Sequence, residues 1–262
     1  MASLFETIEN NAKELRLSLP SSKVAEIMEH YTDQDECLKA VDEVFQVLRD
    51  QKYEELVDMY MKTSRLPRKS PRTFDNFDFT RLHGKDVEQI RNLQSLSTLY
   101  AHQNVILIGP PGTGKTHLAE AIGVKCIENR MKAYFLTFSE LNQRLTEARR
   151  LDKIGSTING LVRPACLIID EVGQSVFDVE NTRLFFDVVN RRYNNDGNGS
   201  MIFTSNVDPK QWPQFFSEDS SLLCSMDRIF DKAIVCNVKG ESYRGKGLVQ
   251  LAVEAGKATN IK

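Results

Sequence analysis

One octapeptide restricts what this chain can fold into more than any other feature: Gly109-Pro110-Pro111-Gly112-Thr113-Gly114-Lys115-Thr116. It satisfies the pattern GxxxxGK[ST], which average composition would produce by accident in about one chain of this length per hundred. Its flanks narrow the odds further. The β-branched run Asn104–Gly109 precedes it, and a helical pattern follows from Lys115 to about Asn129. Gly112 and Gly114 let the backbone curl so that successive N–H groups converge on phosphate oxygens. The partial positive charge of the following helix N-terminus, the Lys115 ammonium and the Thr116 hydroxyl complete such a cradle. A strand, a Gly-rich turn and a helix in that order imply an α/β fold built for a nucleoside triphosphate and Mg²⁺.

The rest of the chain agrees with that rhythm. Ala133–Phe138, Cys166–Ile169, Met201–Ser205 and Ile234–Val238 read as further strands, with helical patterns beginning near Ser139 and spanning about Val179–Tyr193. Strands alternating with helices predict a parallel sheet covered on both faces. Before it lies a different region. Apolar residues recur at spacings of three and four through Leu38, Val41, Val44, Phe45, Leu48 and on to Tyr60, and no Gly or Pro falls between Ser21 and Ser64. That pattern predicts helices. Pro67 and Pro71, set among basic residues, then interrupt it. The expected division is a helical N-terminal domain over 1–61, a basic linker and lead-in over 62–100, a core over 101–245 and a tail over 246–262.

Two more strand ends carry chemistry. Leu167-Ile168-Ile169-Asp170-Glu171 brings a pair of carboxylates to the C-terminal edge of a strand. There Asp170 is expected to hold the Mg²⁺ shell, and Glu171 to polarise an attacking water as general base. Ile202-Phe203-Thr204-Ser205-Asn206 ends in small polar residues, of which Asn206 is placed to sense the terminal phosphate. A carboxylate pair favours hydrolysis of ATP over phosphoryl transfer to a small molecule.

Taken together the motifs resemble AAA+ ATPases, and within them the clade of IstB and DnaC, transposition helpers and helicase loaders. The resemblance rests on TFDNFD (73–78), GPPGTGKTHLA (109–119), LIIDEVG (167–173), RRY (191–193), FTSN (203–206), SMDRIF (225–230) and GESYR (240–244). The later elements, with Trp212, are more like IstB. The resemblance implies an AAA+ P-loop fold with a five-stranded parallel sheet flanked by helices, a small all-α N-terminal domain and little or no C-terminal lid. It implies that the nucleotide contacts extend from Gly109 through His117. It also gives Arg228 the place of an arginine finger completing a neighbour's site, and Arg244 the place of a sensor-2 arginine. A finger acting in trans implies a homo-oligomer, as ring, spiral or filament. Members assist the transposase of a mobile element on double-stranded target DNA; loading of a replicative helicase is the alternative. Arg191 and Arg192 stay outside the site, since charge at a helix C-terminus explains them equally well.

Charge and cysteine usage bound the partners. Residues 1–61 hold 14 acidic and 6 basic side chains, whereas 62–72 hold five basic and no acidic ones. The acidic stretch therefore suits a protein partner. The linker, or the basic set Arg144, Arg149, Arg150, Lys153 and Arg163, suits DNA phosphates, with a solvated surface as the bland alternative. Five scattered cysteines without a CxxC pair argue for reduced thiols and against a zinc site. The absence of a membrane-length apolar run and of an apolar leader in Met1–Asn10 predicts a cytoplasmic protein.

Overall fold

A computed structural model describes residues 3–31, 33–194, 199–217 and 222–242, in two compact units, Met1–Met59 and Tyr60–Lys262. The first unit is helical: α1 (Leu4–Glu14), α2 (Ser21–Met28) and the greater part of α3 (Gln34–Thr63). A capping box starts α1, with Ser3 and Glu6 exchanging hydrogen bonds and so satisfying donors that a helix start leaves open. Ile8, Val24, Met28 and Leu38 form the small core of this unit. Beside it Asn11 joins Asp42 (3.0 Å) to Arg49 (2.9 Å), pinning α1 to α3 with polar bonds where the apolar core is thin.

In the second unit the lead-in comprises short 3₁₀ turns at Phe79–Arg81 and Leu93–Ser95, with α4 (Val87–Asn92) and α5 (Ser97–Tyr100). Ile90, Leu93, Leu96 and Leu99 are buried, so this segment belongs to the packed body. Then follow β1 (Val105–Ile108), α6 (Lys115–Glu128), β2 (Ala133–Thr137), α7 (Phe138–Arg150), α8 (Ile154–Val162), β3 (Cys166–Val172), α9 (Val179–Asn194), β4 (Ser200–Ser205), α10 (Leu222–Phe230) and β5 (Ile234–Asn237). The five strands are parallel in the order β2-β3-β4-β1-β5.

Period-two alternation decides which face each strand residue serves. Leu167 and Ile169 of β3 enter an apolar cluster with Phe138, Phe177, Phe185, Phe186 and Phe216 on the side of α7 to α9. Ile168 points the other way, against α6, where its side chain comes within 2.7 Å of the place a Cβ on Gly123 would occupy. A larger residue at Gly123 would push α6 off the sheet. The expected strands are all present, within a residue or two at most ends. β3 alone runs on appreciably, past Glu171 to Val172, by way of a bulge: Ile169 pairs with Phe203 but Val172 with Ser205, so β3 carries one residue more than its partner.

Helix α8 lies in a stretch with no strong helical signal, since Gly155 and Gly160 weaken its intrinsic preference. Burial of Ile158 and Leu161 in the apolar cluster beside α7 and α9 overrides that weakness. Among the described residues no helix is long and apolar enough to cross a membrane. The tail 246–262, on which the absence of a lid depends, and Arg244 lie outside the described residues.

Candidate functional site

Parallel strands with adjoining C-terminal ends bring the three motifs to one cavity. It has a volume of about 610 Å³ and is lined by the loop at Pro111–His117, by Glu171 to Gln174 and by Thr204 to Val207. Gly112 and Gly114 have φ of +80° and +96°, a region costly for residues with a Cβ. At Gly114 an added Cβ would also sit 2.6 Å from the Phe77 ring. The loop is held shut by its own groups: Thr113 donates to the carbonyl of Pro110 at 3.0 Å, and Lys115 donates to those of Gly109 (2.9 Å) and Pro110 (2.7 Å). The Lys115 ammonium, almost wholly buried, is thus kept inside the loop by carbonyl dipoles, ready to exchange them for phosphate oxygens.

Thr116 donates to Asp170, 3.0 and 3.1 Å from the two carboxylate oxygens. A hydroxyl and a carboxylate already side by side form an all-oxygen donor pair of the kind Mg²⁺ prefers, so these residues fit the ion. Asp170 is buried, and the Thr204 hydroxyl donates to its Oδ1 while accepting the backbone N–H of Glu171 at 2.9 Å. Thr204 therefore fixes both carboxylate residues at once. In the FTSN motif Thr204 stands beside Asn206 with no role evident from the sequence alone. Its signal was a polar residue in an apolar strand, two places before Asn206 and hence on the same face.

The bulge explains how Glu171 reaches the cavity. Its φ of +61° is left-handed, and the extra residue turns its side chain away from the ordinary alternation. Such backbone persists where the surroundings hold it, here the bond from Glu171 N–H to Thr204. Asn206 is exposed at the end of β4 and lines the same cavity. His117 lines it too, but its Nε2–H donates to the carbonyl of Thr73 at 2.9 Å, and burial lowers its pKa, so the ring is neutral and occupied with the lead-in.

Residues 10–250 match the family model of the IstB-like ATP binding protein. The chain belongs to the IstB-like ATP-binding family. Relatives include the insertion sequence IS5376 putative ATP-binding protein of Geobacillus stearothermophilus, 36% identical over 72% of this chain and 73% of its own length. The IS21 putative ATP-binding protein of Pseudomonas aeruginosa is likewise 36% identical, over 71% of this chain and 68% of its own. Among solved structures, DnaI aligns at a TM-score of 0.56 with 18% identity, covering 70% of this chain and 96% of DnaI. AMPPCP-bound DnaA from Aquifex aeolicus aligns at 0.53 with 19% identity, covering 76% of this chain and 57% of DnaA. These two likenesses show a shared α/β fold.

In this IstB-like chain Arg228 is remote from the cavity. It lines a second one, about 430 Å³, with Asn104, Met201, Tyr193 and Asp231, at the strand starts of β1 and β4. The two cavities open at opposite ends of β4, the second lined by Met201 and the first by Thr204 and Ser205. There Arg228 donates to the side-chain oxygen of Asn190 and lies 5.9 Å from the Tyr193 ring centroid, while Tyr193 donates to Asp231 at 2.9 Å. Arg192 beside it is a structural residue. Buried, it donates to the carbonyls of Leu161 (3.0 Å), Val162 (2.8 Å), Pro164 (2.8 Å) and Ser200 (2.8 Å), closing the C-terminal end of α8 onto the start of β4. Burial pushes its pKa down to about 10, which still leaves it charged at neutral pH. Arg191 pairs with Asp187 within α9.

Several basic residues considered for DNA are engaged inside the fold. Arg65 pairs with Glu140 at 2.5 Å, Arg72 with Glu120 at 3.1 Å and Arg149 with Asp178 at 2.7 Å. Arg144 donates to the hydroxyl of Tyr134 and stacks over its ring. Arg150, Lys153 and Arg163 are exposed.

Proposed function

We propose that this protein is an ATP-hydrolysing helper of DNA transposition that assembles on double-stranded target DNA, recruits or stimulates the transposase of its element, and disassembles as ATP is consumed. The observation that carries hydrolysis is the bulge at Asp170-Glu171, which sets one carboxylate against Thr116 and turns the next into the same cavity. In this reading the loop Gly109–Thr116 binds the triphosphate through Lys115, the N–H groups of Gly112 to Thr116 and the N-terminus of α6. Thr116 and Asp170 hold Mg²⁺, which supplies charge neutralisation on the phosphate oxygens when bound. Glu171 takes a proton from the attacking water, and Asn206 orients that water against the terminal phosphate.

Arg228 acts in trans. At the opposite end of β4 from its own cavity it is better placed for a neighbour's, and Asn190 with Tyr193 holds its guanidinium on α10. Shared sites imply an oligomer that ATP holds together. The names of the relatives, all insertion-sequence ATP-binding proteins among those cited, support transposition as the setting. Exposed Arg150, Lys153 and Arg163 are the preferred DNA contacts, and the acidic first unit the preferred protein contact.

Helicase loading remains the second reading, carried by the resemblance of the motifs to the clade of IstB and DnaC. Electron microscopy with ATP and duplex DNA separates the two. Multi-subunit rings, spirals or filaments enclosing duplex support the helper. Failure to bind duplex, with tight binding to a hexameric helicase, overturns it.

A further inference from the structure

The lead-in runs along α6 as a strap. Leu66 lies 3.0 Å from the place of a Cβ on Gly123, Arg72 bonds Glu120 at 3.1 Å, Thr73 accepts from His117 at 2.9 Å, and Phe77 packs 2.6 Å from the place of a Cβ on Gly114. Positions 114, 117, 120 and 123 form a row of neighbours that winds around the helix, since residues three apart are adjacent on its surface. The strap thereby delivers Arg72 to the wall of the ATP cavity, beside Thr116, Glu171 and Asn206.

Glu120 is an expensive residue for that place. Only 6% exposed, its Oε2 has no hydrogen-bond partner among the described residues, and burial raises its pKa with Asp170 adding to the effect. An apolar residue of similar volume would stabilise the fold at least as well. What the carboxylate does here is fix one nitrogen of a planar guanidinium, leaving the fork oriented; Arg72 keeps 47% of its side-chain surface exposed. Charge argues the same way. Lys115 and Arg72 are the cations among the described residues lining the cavity, and His117 is neutral. A triphosphate brings about four negative charges, and Mg²⁺ with one lysine leaves about one uncompensated.

We propose that Arg72 is a further nucleotide-binding residue, supplied by the lead-in strap and positioned by Glu120 to meet the terminal phosphate of ATP. The inference rests on the reading of this cavity as the ATP site. It predicts discrimination between ATP and ADP, because only ATP presents that phosphate. Arg72→Ala alone would strand the buried Glu120 carboxylate and confuse binding with folding, so the informative variant is the neutral pair Arg72→Gln with Glu120→Gln, which can keep a hydrogen bond between the two.

The test measures affinities for ATP and ADP by displacement of a fluorescent nucleotide, with thermal unfolding in the absence of nucleotide as the folding control. The neutral pair should melt as the parent does, lose about tenfold in ATP affinity and keep its ADP affinity. Glu120→Gln alone, which leaves the cation but loosens it, should lose less, and Arg72→Lys should fall between. Equal weakening of ATP and ADP, or unchanged ATP affinity in the pair, overturns the proposal. Undiminished binding of both nucleotides by Lys115→Ala would instead sink the ATP-site reading itself.

Discussion

The two ends of the β-sheet make opposite use of cationic side chains. At the C-terminal end Lys115 is held by two carbonyls of a loop that has φ values suited to glycine, and its partners are ones a phosphate can replace. At the N-terminal end Arg192 is held by four carbonyls from two chain segments, all of them backbone groups at a buried junction, with only its Nε–H left unpartnered among the described residues. Next to it Arg228 is only half-buried and held by side chains of one helix. The contrast teaches that burial and charge do not by themselves mark a functional arginine. Replaceability of its partners does.

Four substitutions would break or sharpen that comparison. Arg228→Ala should lower steady-state ATP turnover by about 10³-fold while leaving nucleotide binding by dilute subunits intact. Mixing it with Lys115→Ala subunits should restore part of the turnover, because each would supply what the other lacks; a persistent loss in the mixture would rule out a finger acting in trans. Glu171→Gln should lower turnover by about 10²-fold or more, keep ATP affinity, and trap the assembly in sedimentation measurements with ATP. Rapid disassembly of that variant in ATP would contradict its role as base.

Arg192→Ala should act on folding alone. It frees four carbonyls at a buried junction and is expected to cost about 3 kcal/mol in urea unfolding, with nucleotide affinity of the folded fraction unchanged. Thr204→Val should be the mildest, costing about 1–2 kcal/mol through the lost bonds to Asp170 and to the N–H of Glu171. If the bulge depends on that hydroxyl, turnover should fall more than ATP affinity does; equal losses would make Thr204 a packing residue.

Much of the site was legible because its chemistry sits in contiguous runs. GPPGTGKT, LIIDE and FTSN each specify a strand end and a set of polar atoms within eight residues, and parallel topology does the rest. Less legible was whatever needs a distant partner. Helix α8 reads as weak because two glycines cost it local preference, and only burial of Ile158 and Leu161 holds it. The basic linker reads as a tether, yet Arg65 and Arg72 find Glu140 and Glu120 from 75 and 48 residues away.

By itself, then, the sequence determined the strand-turn-helix that cradles phosphate and the identities of the carboxylates and hydroxyls around it. Those follow from backbone conformations that only particular residues adopt and from side chains that only particular chemistry requires. The tertiary structure decided which arginines are tied up and which are available, since a guanidinium reads the same in a sequence whether four carbonyls or open solvent surround it. It also decided the orientation of Glu171, because a bulge is a mismatch between two strands and belongs to neither alone.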